Sequence, residues 1–126
     1  MHAILFDLDG VLYQGDTLLP GAADAVDWVR DQGVPHLFLT NTSSRPRAAI
    51  AERLAGLGIQ VSESQILAPP AAACAWLQAE GITDIALFAP EATAADFAGM
   101  TLLPADAEQG AGAVVVGDLA QRWNFQ

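Results

Sequence analysis

Residues 4–12 read Ile-Leu-Phe-Asp-Leu-Asp-Gly-Val-Leu, an apolar run of strand length that ends in two aspartates one residue apart. A buried strand ordinarily excludes such a pair. Like charges at short range disfavour each other's ionised form and cost stability unless something neutralises them. A hard cation such as Mg2+ does so readily, because it takes one or two carboxylates and keeps waters and a phosphate as its other ligands. Asp7 and Asp9 at the end of a strand therefore suggest a phosphoryl site assisted by Mg2+. The bland alternative is a strand running into an Asp-Gly turn with both carboxylates solvated, which a bare Asp-x-Asp-Gly most often is. The rest of the chain decides between them.

The spacing predicts a first strand over residues 2–6 and a loop over 10–20. A helix follows over 21–32, with Ala22, Ala25, Val26 and Val29 at helical spacing and Gly33 as its stop. Residues 34–39 read as a second buried strand, and residues 40–44 as a polar turn. Ser44 is the expected N-cap of a helix with Pro46 in its first turn, running to about Leu57. Pro69 and Pro70 open another helix, which Gly81 closes. Residues 85–88 form a third strand, 92–97 a weak helix, 102–109 a loop-like stretch and 113–116 a fourth strand. This alternation is the signature of an α/β domain with a parallel sheet. A weakly marked boundary falls near residues 81–84, giving segments 1–82 and 83–126.

Composition narrows the partners. The chain has 126 residues, 52% of them hydrophobic, so one packed domain or part of one is expected. Fifteen acidic residues against five basic give a formal charge of −10. No basic patch exists to release counterions, which argues against nucleic acid and anionic membranes as partners. Self-association stays compatible with this composition. A single cysteine, Cys74, excludes an intrachain disulfide and reads as a small buried residue. There is no leader-like start, since an acid arrives at position 7, and no apolar run approaches a membrane span. A cytoplasmic location is the default.

In an open parallel sheet, ligands collect beyond the carboxyl ends of the strands. Asp7 and Asp9 end the first strand, and Thr40 and Asn41 end the second, so adjacent strands would bring both polar ends to one crevice. A phosphoryl group needs a nucleophile, charge neutralisation and donors for its equatorial oxygens. A carboxylate such as Asp7 can be that nucleophile, forming an aspartyl-phosphate. Asp9, two residues on, points to the same side of an extended chain and could protonate the leaving oxygen. Thr40 offers a hydroxyl and Asn41 an amide.

These residues resemble a known family. Asp7-Leu8-Asp9-Gly10-Val11-Leu12 is similar to the first motif of the haloacid dehalogenase (HAD) superfamily, and Leu37-Phe38-Leu39-Thr40-Asn41-Thr42 to its second. Leu12-Tyr13, Gly15 and Pro20-Gly21-Ala22 resemble the capped subgroup with a large α/β insertion after the second motif. That subgroup includes the NagD-like phosphatases and the phospholysine phosphohistidine inorganic pyrophosphate phosphatases. The Thr-Asn-Thr turn, residues 66–77 and Val114-Val115-Val116-Gly117 look most like the latter and their HAD-like domain-containing relatives.

The resemblance implies a HAD-like, Rossmann-type parallel core, of which this is the N-terminal half, with the start of an α/β cap. It implies Asp7 as nucleophile and Mg2+ ligand. Asp9 becomes the acid/base, with its carbonyl on the metal, and Thr40 and Asn41 become substrate ligands. The substrate would be a small phosphorylated compound, a phosphoamino acid or pyrophosphate.

Two family motifs have no match. The chain contains no lysine. Residues 114–118 imitate the fourth motif, but Arg122 stands where its second acid should be, so the stretch reads as a cap strand. A truncated, catalytically dead and poorly soluble chain is the expectation. The alternative function is a non-catalytic HAD-fold fragment or interaction domain; a receiver-like phosphoacceptor ranks lower, because its acceptor aspartate follows a later strand.

Other polar residues favour structural roles: His2 is terminal and His36 lies within a strand. Asp16 reads as a turn residue, and Arg45 and Arg47 as a solvated first helical turn. Trp28, Trp76 and Trp123 read as core or interface. Ser43 and Ser44 lack a histidine partner for a triad.

Overall fold

The computed structural model describes residues 2–119. Two compact units make up the chain, residues 1–41 with 47–68, and residues 42–46 with 69–126. The units part ahead of the helix that begins at Pro69, whereas the weak sequence boundary near residues 81–84 lies behind that helix. The reason is packing, since this helix buries Cys74 and Leu77 with Ile85 and Phe97 of the later segment.

In the first unit, β1 (Ile4–Asp7) leads to a small hairpin, β2 (Tyr13–Gln14) and β3 (Thr17–Leu18). Helix α1 (Ala22–Asp31) crosses over to β4 (His36–Leu39), and α2 (Arg47–Gly56) follows. A single 3-10 turn over Glu63–Gln65 then delivers β5 (Ile66–Leu67). The sheet order is β1-β4-β5, parallel throughout, with Asp7 opposite Leu39 and Leu39 opposite Leu67. The first two long strands are therefore neighbours, the condition under which their polar ends share one crevice.

The α/β reading follows from burial. Helix α1 buries Ala22, Val26 and Val29 along one stripe. It stops at Gly33, whose φ of 63° suits a glycine at a helix end. Helix α2 buries Ile50 and Leu54. Ala22, Val26, Ile50 and Leu54 join Leu8, Leu12, Tyr13, Phe38, Ile59 and Ile66 in one core. The other face of the sheet carries Leu5, Leu37, Leu39 and Leu67, all exposed.

In the second unit, α3 (Pro69–Ala79) precedes β6 (Asp84–Phe88), β7 (Thr101–Leu102) and β8 (Ala113–Val116). These strands form a separate parallel sheet of order β7-β6-β8. Residues 114–116 thus lie outside the sheet that contains Asp7. The weak helix expected over 92–97 is a 3-10 helix over Glu91–Phe97. The stretch expected to be loop-like at 102 opens with β7, too short to show a period. No helix among the described residues is long and apolar enough to cross a membrane. The expectations at Arg122 and Trp123 lie outside the described residues.

Candidate active site

Residues 7–13 form a tight excursion at the carboxyl end of β1. Leu8 is fully buried and anchors it, while Asp7 and Asp9 on either side are exposed. This alternation sends both carboxylates to the side opposite Leu8. The Leu8 carbonyl accepts the Leu12 N–H at 2.9 Å and the Val11 and Tyr13 N–H groups at 3.3 Å. Gly10, with φ 80°, lets the chain reverse, and its N–H donates to the Tyr13 carbonyl at 2.7 Å. Asp9 and Tyr13 form an isolated bridge. The Leu8 N–H donates to Asp7 Oδ1 at 2.9 Å.

Thr40 follows the strand partner of Asp7 directly and is buried, its N–H bonded to the Leu67 carbonyl at 3.1 Å. Asn41, next along, is exposed. The sheet therefore brings Asp7, Asp9, Thr40 and Asn41 to the carboxyl ends of adjacent strands. Among the described residues, no three of His, Cys, Asp and Glu gather as a metal-holding group. One exposed carboxylate, Asp7, beside the main-chain carbonyl of Asp9 is a donor set that fits a cation keeping most of its own waters, as Mg2+ does.

Several side chains set aside in the sequence are structural. His36 packs edge-on against Phe6 and Phe38, and its Nδ1 lies 2.9 Å from the Val34 carbonyl. Cys74 is buried, whereas Trp28 and Trp76 are largely exposed and so do not fill a core.

A hairpin replaces part of the expected loop. Tyr13 and Leu18 pair across Gly15-Asp16, inside the expected loop over 10–20. Gly-Asp between two short apolar-containing runs is a recognised two-residue hairpin signal, so the information was present. Asp16 is more than a turn residue, because its Oδ1 lies 3.1 Å from Nη2 of Arg53.

Comparison with known proteins agrees with this architecture. A family model described as haloacid dehalogenase-like hydrolase matches residues 4–101. The chain belongs to the haloacid dehalogenase-like hydrolases, in their capped subgroup. It is similar to the chloroplastic phosphoglycolate phosphatase 1A of Arabidopsis thaliana, 36% identical over 78 residues, which are 62% of this chain and 22% of that protein. It is 48% identical to the human glycerol-3-phosphate phosphatase over 58 residues, 46% of this chain and 18% of the relative.

Among solved structures, NagD from E. coli K-12 superposes with a TM-score of 0.82 at 26% identity, covering 98% of this chain and 48% of NagD. Glycerol phosphate phosphatase from Mycobacterium tuberculosis in complex with magnesium has a TM-score of 0.68 at 26% identity, covering 79% of this chain and 31% of that one. The chain thus spans less than half the length of each of these proteins.

Proposed function

We propose that this chain carries the nucleophile-bearing part of a phosphatase for small phosphorylated compounds, working through an aspartyl-phosphate on Asp7. One observation carries the reading: two exposed carboxylates and a threonine stand at the carboxyl ends of the adjacent parallel strands β1 and β4. In open α/β sheets that edge is where ligands bind. The relatives' names add support, since they act on phosphorylated glycolate and glycerol. In this reading the first unit holds the chemistry and the second belongs to the cap.

A carboxylate oxygen of Asp7 attacks phosphorus as the bond to the leaving oxygen breaks, and Asp9 gives that oxygen its proton. The Asp9 carboxylate then takes a proton from water. The resulting hydroxide attacks phosphorus, the bond to Asp7 breaks, and phosphate leaves. The Thr40 hydroxyl donates to an equatorial phosphoryl oxygen, and the Asn41 amide holds substrate. Mg2+, held by Asp7 and Asp9, would supply positive charge to the phosphoryl oxygens.

The test is phosphate release from p-nitrophenyl phosphate and from small phosphorylated acids and alcohols, with Mg2+ and with EDTA. It is run on the 126-residue chain and on a version extended to its relatives' length. In the extended version release that requires Mg2+ is expected, and Thr40→Ala should lower it about 10- to 1000-fold, the usual effect of losing one donor to a charged oxygen. Release indifferent to EDTA would overturn the reading.

Titration calorimetry gives an independent measure of the metal. With Asp7 as the one side-chain carboxylate ligand and Asp9 giving only its main-chain carbonyl, Mg2+ affinity for the 126-residue chain is expected to be about millimolar or weaker. Micromolar binding abolished by Asp7→Asn would mean a more complete site.

A second reading, a non-catalytic interaction domain, is favoured by the exposed leucines 5, 37, 39 and 67 on one sheet face. The same assay separates the two, because this reading requires no Mg2+-dependent release from either version.

A further inference from the structure

We infer that Arg53, on α2, is a positioning residue for Asp9, acting through the β2–β3 hairpin; the inference rests on the role proposed for Asp9. Arg53 stands 40 residues beyond Tyr13 in sequence, yet its guanidinium carbon lies 4.7 Å from the centroid of the Tyr13 ring, stacked on its face. One terminal nitrogen, Nη2, donates to the Gly15 carbonyl and to Asp16 Oδ1. The three contacts hold the first strand of the hairpin and its turn. From there the route to the site is main chain. The Tyr13 carbonyl accepts the Gly10 N–H, and Tyr13 bridges Asp9. A hairpin of two residues per strand has little stability of its own, so what pins it to the helix also sets where Asp9 sits.

Stability alone is a poor reason for an arginine at this place. Its Nε is buried without a hydrogen-bond partner among the described residues. A donor left so is costly. The ion pair with Asp16 adds little, because that carboxylate is fully exposed and screened. A methionine of similar length would fill the space against the Tyr13 ring without the unpaired donor. What it could not do is donate to Gly15 while stacking on Tyr13, which needs the planar, forked guanidinium.

The inference is tested on the 126-residue chain by amide hydrogen exchange, which needs no turnover. In Arg53→Met the Gly10 amide is expected to exchange at least about tenfold faster, while amides of α1 and β4 keep their rates. Arg53→Lys, retaining the charge over Tyr13 but not the fork, should restore part of the protection. Unchanged exchange at Gly10 would overturn the inference. So would equal acceleration across α1 and β4, which would mean simple destabilisation.

A second arm reads catalysis in the version extended to the relatives' length. Arg53→Met should lower kcat with little change in KM. An unchanged kcat, in a protein that Asp9→Asn inactivates, would overturn the inference. Should Asp9→Asn itself keep full kcat, the role of Asp9 falls, and the inference that Arg53 positions a catalytic group falls with it. The exchange result would then report a hairpin anchor alone.

Discussion

Asp7→Asn, in the version extended to its relatives' length, is expected to reduce phosphate release about 10,000-fold or more, the scale on which removal of a covalent nucleophile is felt. The substitution keeps size and shape, and the side chain is exposed, so folding should not change. The asparagine amide oxygen can still accept the Leu8 N–H that Asp7 Oδ1 accepts at 2.9 Å. What it lacks is the charge and nucleophilicity to bond phosphorus. The measurement is single-turnover phosphate release beside wild type, with circular dichroism as the folding control. A variant that retains near wild-type rate with an unchanged spectrum would remove Asp7 from the nucleophile's role.

Phe38→Ala is expected to destabilise the first unit by about 3–5 kcal/mol, the usual cost of emptying a buried aromatic site. Phe38 is completely buried in the central strand of its sheet. Its ring stacks on Phe6 at 5.6 Å and meets His36 edge-on at 5.7 Å. A whole domain is typically stable by only about 5–15 kcal/mol, so urea denaturation should show an early or non-cooperative transition. Leu37, one residue earlier, faces the other way and is 38% exposed. Leu37→Ala should change stability by about 0.5 kcal/mol or less, as surface substitutions do. Equal losses for the two variants would mean that the faces of β4 are wrongly assigned.

The legible features share one property, that their signal is local. Helix α1 announces itself through Ala22, Val26 and Val29 and a glycine stop, and α2 through Ile50 and Leu54. The Asp-x-Asp-Gly run marks a strand end because an alternating backbone must put both acids on one side and Leu8 on the other. Two polar strand ends in a parallel α/β chain then suggest one crevice, and the register of Asp7 opposite Leu39 agrees.

Apart from the β2–β3 hairpin, whose Gly-Asp turn is a local signal, the features that escaped have signals too short or too distant. Strands β5 and β7 contain two residues each, a single period of alternation that cannot be seen to repeat. They are strands only because β4 and β6 offer them partners. Helix α3 reads as a helix from its composition, but composition is silent on which unit it packs into. That is decided by the burial of Cys74 and Leu77 beside Ile85 and Phe97.

The amino-acid sequence by itself determined the α/β class, the long strands and helices, and the four polar residues at the strand ends. Backbone periodicity and the solvation of charge act within a few residues, so a linear string records them. Only the tertiary structure decided the strand order, the division into units and the contact of Arg53 with Tyr13, Gly15 and Asp16. Nothing local distinguishes Arg53 from the other arginines. Its partners are chosen by how α2 packs beside the hairpin, and that is fixed only when Ile50 and Leu54 enter a core they share with Leu12 and Tyr13.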